Sequence, residues 1–111
     1  MSVIINRSLV VLGSTGSVGC NTLDVARHQA NSFSVKGLSA RANVNLLFEQ
    51  IQVFRPQLVA VENVAAATVL EDRLISEGLT STKVLKGEHA ATKLVEELRP
   101  DVVMAAILGS A

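Results

Sequence analysis

Two junctions in the sequence follow one plan. Phe54-Arg55-Pro56-Gln57-Leu58-Val59 and Leu98-Arg99-Pro100-Asp101-Val102-Val103 each leave a helical apolar pattern, pass through a proline and a polar residue, and enter a short apolar run. Proline cannot continue a helix, and it pushes the residue before it toward extended geometry, so each junction is a switch from α to β. Around these switches, compact apolar runs alternate with stretches of helical periodicity. The pattern predicts strands over residues 8–12, 33–39, 58–61, 83–85 and 101–105. It predicts helices over 18–28, 44–54 and 88–98, and one more that begins at Asn63 and is stopped by Gly78. In the first helix Val18, Leu23, Val25 and Ala26 are expected to share one face. Strict alternation of strand and helix implies right-handed βαβ units. The expected fold class is therefore α/β, a Rossmann-type parallel sheet of about five strands with helices on both faces.

The interior of such a sheet has to be aliphatic, because hydrophobic residues make up 49% of the chain while aromatics make up only 3%, with no Trp or Tyr. Valine, isoleucine, leucine and alanine suit a parallel sheet buried on both sides. A length of 111 residues fits one domain, residues 1–111. Ten basic and ten acidic residues give no net charge, which argues against a nucleic-acid partner and leaves any bound anion to be held locally. One cysteine, Cys20, precludes an internal disulfide. No stretch reads as a signal peptide or a membrane span, so the expected location is the cytoplasm. The sequence stops at Gly109-Ser110-Ala111, just past the fifth strand. Ligands of open α/β sheets lie beyond the carboxyl ends of the strands, so the chain reads as an N-terminal fragment.

Between the first strand and the first helix stands GSTGSVG, residues 13–19. In this context Gly13 permits a tight turn, Gly16 lets the backbone approach a pyrophosphate, and Gly19 lets the helix pack on the strand. The helix start adds free amides and a positive dipole end, and Ser14, Thr15 and Ser17 add hydroxyl donors. The spacing is G-x-x-G-x-x-G, and no Gly-Lys-Ser/Thr follows to make a Walker loop. The competing reading is a turn whose glycines serve packing alone.

The end of the second strand discriminates between dinucleotides. A domain that binds NAD carries an acid there for the ribose 2′-hydroxyl. This chain reads Leu38-Ser39-Ala40-Arg41-Ala42-Asn43, with a cation and no acid. Arg41 can pair with a 2′-phosphate, with Ser39 or Asn43 as donors, so NADP is favoured over NAD. The structural alternative makes Arg41 a solvated loop residue and Asn43 a helix cap.

No catalytic or metal-binding constellation is legible. Cys20 reads as a small hydrophobe, His28 and His89 as surface residues, and Asp24, Glu71, Asp72, Glu96 and Glu97 as solvated helix faces.

The segments GSTGSVGCNTLDVARH, F-x-V-x-GLSARANVNLL, EQIQVFRPQLVAV and DVVMAAILGSA, in this order and spacing, resemble the 1-deoxy-D-xylulose 5-phosphate reductoisomerase family over nearly the whole chain. The resemblance implies an NADPH-dependent oxidoreductase and isomerase of the bacterial cytoplasm or plastid. Such enzymes rearrange and reduce 1-deoxy-D-xylulose 5-phosphate to 2-C-methyl-D-erythritol 4-phosphate in non-mevalonate isoprenoid biosynthesis. They are usually homodimers, use Mg²⁺ or Mn²⁺, and are the target of fosmidomycin.

Carried over to this chain, the resemblance implies that Thr15, Gly16, Ser17 and Val18 contact the pyrophosphate and ribose. Arg41, Ala42 and Asn43 then form the 2′-phosphate and adenosine pocket, and Ala105, Ala106 and Ile107 run along the dinucleotide. Many relatives read Gly-Lys-Asn or Gly-Arg-Asn at residues 41–43, so the cation here is displaced by one position. The metal carboxylates, the substrate-phosphate residues and the lid are expected downstream of residue 111, leaving a domain that binds cofactor without turnover. Two other readings start from the same loop. One is the NADP-binding domain of an aspartate-semialdehyde dehydrogenase type of oxidoreductase, and the other is a non-catalytic nucleotide-sensing Rossmann module.

Overall fold

The computed structural model describes residues 6–106. Strands and helices alternate without exception: β1 (Arg7–Leu12), α1 (Ser17–His28), β2 (Phe33–Ala40), α2 (Val44–Phe54), β3 (Leu58–Val61), α3 (Val64–Ser76), β4 (Lys83–Lys86), α4 (Ala90–Leu98) and β5 (Val102–Ala105). All pairings are parallel, and the strand order is β4-β3-β2-β1-β5. The chain steps outward from β1 to β4 and then crosses back to place β5 on the far side of β1. The order therefore reverses between β1 and β5, where open α/β sheets form their ligand crevice.

The direction of each crossover decides which face its helix covers. Leu23 and Ala26 of α1, Leu47 and Ile51 of α2, and Leu70 and Leu74 of α3 share one core with Leu9, Val11, Val59 and Val61. Ala90 and Leu94 of α4 pack with Val10, Leu58 and Ala60 on the other side. Helices thus lie on both faces, three against one.

Within α1 the buried residues are Gly19, Leu23 and Ala26, whereas Val18 and Val25 are exposed at 48% and 56%. The expected shared face is corrected by helix geometry. At about 100° per residue, positions 19, 23 and 26 fall within roughly 60° of one another, and positions 18 and 25 swing away from them. The predicted start of the last helix is also corrected. Gly87 takes a positive φ of 105°, Ala90 N donates to the Gly87 carbonyl, and α4 begins at Ala90 instead of Glu88.

β2 carries one extra residue. Leu9 pairs with Val35 and Val10 with Gly37, so Lys36 is bulged out of the register with β1. Phe33 and Val35 before the bulge, and Leu38 and Ala40 after it, all meet the α1–α3 core. Gly37 turns to the opposite face, where a Cβ would lie 2.6 Å from Leu98 Cδ1 and 3.0 Å from Leu94 Cδ2. The absence of a side chain there admits α4 to the sheet.

Both proline junctions are built alike, and the extended geometry expected before each proline is corrected to a left-handed helix cap. Arg55 and Arg99 take left-handed φ values of 49° and 44°, and their amides donate to the carbonyls of Ile51 and Val95. At the start of β5, Ser8 N donates to Asp101 Oδ2 at 2.8 Å and Asp101 N donates to Ser8 Oγ at 2.9 Å. This reciprocal clasp fixes β5 beside β1. No helix among the described residues is long and apolar enough to cross a membrane.

Candidate functional site

The loop after β1 is held from behind by β2 and α2. Gly13 has φ 76°, a conformation open to glycine and costly for other residues. Its amide donates to Ser39 Oγ at 3.0 Å, and Ser14 N donates to the Ser39 carbonyl at 2.8 Å. Ser14 is fully buried. Its hydroxyl donates to Gln50 Oε1 at 2.8 Å, and Gln50 Nε2 donates back to the Ser14 carbonyl at 2.8 Å. The expectation that Ser14 offers its hydroxyl to a phosphate is therefore corrected, because α2 has taken that hydroxyl inward. Ser39 is likewise buried, and its hydroxyl serves as acceptor for the loop.

Gly19 is required by packing: a Cβ there would overlap the Gly13 carbonyl oxygen and lie 2.7 Å from Ser14 Cα. Gly16 is different. It precedes α1 with φ −78°, and a Cβ would meet nothing closer than the Gly13 oxygen at 3.6 Å. The fold itself does not demand glycine at 16; the hydrogen in place of a side chain keeps the outer side of the loop clear. The first turn of α1 has no acidic residue and no side-chain cap, so its amides face outward with their positive dipole end uncompensated.

On the second wall, β2 ends at Ala40 and Arg41 follows with 89% of its side chain exposed. Arg41 Nε stands 3.7 Å from Glu62 Oε2, which comes from the end of β3. Asn43 Oδ1 accepts from Leu46 N at 3.3 Å, so Asn43 caps α2 as its sequence position implied. The cap uses the carbonyl oxygen and leaves the Asn43 amide group as a donor.

A cleft of about 550 Å³ lies at the carboxyl ends of the strands and brings these segments together. Gly13, Thr15 and Gly16 line it from the loop after β1, Ser39, Ala40, Arg41, Ala42 and Asn43 from the end of β2 into α2, and Ala106 from just past β5. Its size is in the range of pockets that take a small ligand. Ser17 and Val18 are exposed on the first turn of α1 and do not line it, and neither does Ala105. Ile107 lies outside the described residues.

The sequence reading missed Ala60, Glu62, Gly87, Glu88 and Ala91, which complete the lining. Glu62 and Gly87 directly follow β3 and β4, so the rule that ligands sit beyond strand ends was the signal that could have found them. Among the described residues that line the cleft, Arg41 is the one cation, and Glu62 and Glu88 are the two carboxylates. Among the described residues no three His, Cys, Asp or Glu side chains converge on a metal-sized space.

The sequence model of the family described as 1-deoxy-D-xylulose 5-phosphate reductoisomerase matches residues 9–111. The chain is 42% identical over 105 residues to the 1-deoxy-D-xylulose 5-phosphate reductoisomerase of Methylococcus capsulatus, and 40% identical over 104 residues to that of Colwellia psychrerythraea. These matches cover 95% and 94% of this chain but 27% and 25% of those proteins, so the chain spans about a quarter of their length.

Solved structures agree. A DOX-P reductoisomerase in complex with NADPH, fosmidomycin and magnesium superposes with a TM-score of 0.85 at 28% identity, over 93% of this chain and 25% of that one. The reductoisomerase from Zymomonas mobilis in complex with NADPH gives a TM-score of 0.83 at 27% identity, over 94% of this chain and 26% of that one. With its Rossmann-type sheet, its glycine loop and a family match that runs from β1 to the last residue, the chain belongs to the 1-deoxy-D-xylulose 5-phosphate reductoisomerase family.

Proposed function

We propose that this chain is an NADPH-binding domain, residues 1–111, of an enzyme that converts 1-deoxy-D-xylulose 5-phosphate to 2-C-methyl-D-erythritol 4-phosphate. The observation that carries the reading is the convergence of Gly13, Thr15 and Gly16 with Arg41, Ala42 and Asn43 on one cleft at the strand ends. A pyrophosphate needs backbone approach and outward amides, which the turn into α1 supplies. A 2′-phosphate needs a cation, and Arg41 stands exposed where the adenosine end of a dinucleotide would reach. Ser17 and Val18 continue the pyrophosphate side on the first turn of α1, and Ala106 with Ile107 runs along the dinucleotide toward its nicotinamide end. When bound, NADPH supplies the hydride that reduces the rearranged aldehyde.

Both related structures hold NADPH, and one of them also holds magnesium. In this reading Mg²⁺ or Mn²⁺ and the sugar phosphate are held by residues beyond the 111 of this chain. The whole enzyme works as a homodimer in the bacterial cytoplasm, and these residues alone bind cofactor without turnover.

Calorimetric titration of the 111-residue chain with NADPH and with NADH tests the proposal. NADPH is expected to bind at least about tenfold more tightly, equivalent to about 1.4 kcal/mol. Arg41→Ala should remove most of that difference. Equal affinity for the two cofactors would overturn the 2′-phosphate assignment.

A further inference from the structure

The side chain of Gln50 ties α2 to the cofactor loop by hydrogen bonds. Gln50 is 8% exposed, and its carboxamide is matched at both ends by the loop. Its oxygen accepts from the Ser14 hydroxyl and its nitrogen donates to the Ser14 carbonyl, each at 2.8 Å. The Ser14 hydroxyl also lies 3.3 Å from the Ser39 carbonyl, while Cys20 Sγ lies 3.6 Å from the Ser14 carbonyl and 3.8 Å from Gln50 Nε2. Ser14 is thereby held from two sides, with its hydroxyl turned away from the cleft.

The consequence for the loop follows from chain connectivity. Ser14 directly precedes Thr15 and Gly16, so fixing its carbonyl and side chain fixes the peptide plane from which the exposed part of the loop departs. Buried polar groups with matched partners set one conformation, whereas a missing partner leaves the other group unsatisfied. The same helix is capped by Asn43, which lies in the cleft beside Arg41. Seven residues of helix, about 10 Å, separate Asn43 from Gln50. One rigid element therefore begins at the proposed 2′-phosphate end and braces the pyrophosphate end.

We propose that Gln50 is a positioning residue for cofactor binding: from α2 it holds Ser14 so that the loop at residues 15–17 presents its outer side to the pyrophosphate. This inference rests on the reading of the cleft as a dinucleotide site. Gln50 does not itself line that cleft.

Gln50→Met keeps the length and apolar bulk of the side chain and removes both hydrogen bonds. In the 111-residue chain, with folding followed by circular dichroism, it is expected to weaken NADPH and NADH equally, by about tenfold. The NADPH to NADH preference should stay unchanged, because Arg41 is untouched. A role confined to packing would lower the melting temperature and leave both affinities of the folded chain where they were. Affinities within twofold of the original would therefore overturn the proposal.

Ser14→Ala, which deletes one hydrogen bond and little volume, covers the case in which Gln50→Met does not fold. It should weaken both cofactors about threefold, and unchanged affinity there also overturns the proposal. Failure of the unsubstituted chain to bind either cofactor would overturn the reading that these 111 residues bind the dinucleotide by themselves, a result distinct from both.

Discussion

Arg41 and Glu62 stand side by side at the ends of paired strands, guanidinium Nε to carboxylate Oε2 at 3.7 Å, each the residue that follows its strand. With side chains 89% and 52% exposed, the pair contributes little to stability. Its effect falls on the ligand. A carboxylate beside Arg41 competes with a 2′-phosphate for the same cation.

Glu62→Gln is expected to tighten NADPH by roughly two- to fivefold and to leave NADH unchanged, in line with the range of surface ion pairs. The gain should fade in about 0.5 M salt, where exposed charges are screened. Paired titrations at low and high salt decide the matter; an equal gain for NADH would show that Glu62 does not act through the 2′-phosphate.

Gly19→Ala should destabilise the chain by about 3 kcal/mol, at the upper end of overpacking costs. The new methyl would meet the backbone of Gly13 and Ser14, which cannot rotate aside. Gly16→Ala provides the contrast, because its nearest obstacle is 3.6 Å away and its φ is ordinary. It should shift stability by less than about 0.5 kcal/mol while weakening NADPH. Urea unfolding of both variants, followed by cofactor titration of the second, separates the two roles.

Gly37→Ala pushes a methyl toward the tips of Leu98 and Leu94. Side-chain tips yield, so the expected cost is about 1–2 kcal/mol. Leu98→Ala made in the Gly37→Ala background should cost less than Leu98→Ala alone, because it opens the space the new methyl needs. A double-mutant cycle reads this coupling directly; strict additivity would contradict the packing described here.

Asn43 and Asn63 cap α2 and α3 in the same way, accepting from Leu46 N and Ala66 N. Replacement of either by Ala should cost about 1 kcal/mol of stability. Only Asn43 lines the cleft, so Asn43→Ala alone should also weaken NADPH. Thermal unfolding with and without cofactor distinguishes the two, and a matching loss of cofactor affinity in Asn63→Ala would argue against a local role for Asn43.

The elements were legible in the sequence because their signals are local. The proline junctions, the two asparagine caps and the compact apolar runs each act within a few residues, and β3 and α2 begin and end where these signals place them. What escaped the sequence depends on partners far along the chain. Ser14 reads as a phosphate donor until Gln50, 36 residues later, claims its hydroxyl. Val18 and Val25 read as core by hydrophobicity, but Gly19 must face the loop, and that requirement rotates α1 so that the two valines point outward. Glu62 and Glu88 join the cleft only because β3 and β4 end on the same side as β1, a fact of topology that no short segment carries.

The bulge in β2 makes the strand a ruler with one extra mark. Against β1, Lys36 is skipped; against β3 it counts, since Gln57 N donates to its carbonyl at 2.9 Å. With residue 36 left out, the remaining FSV-GLSA alternates perfectly, inward and outward, from Phe33 to Ala40. Residue 36 is thus the place in β2 where a one-residue deletion would preserve the facing of every other side chain. The same deletion two positions later would reverse Ser39 and Ala40 and strip the cofactor loop of its anchor.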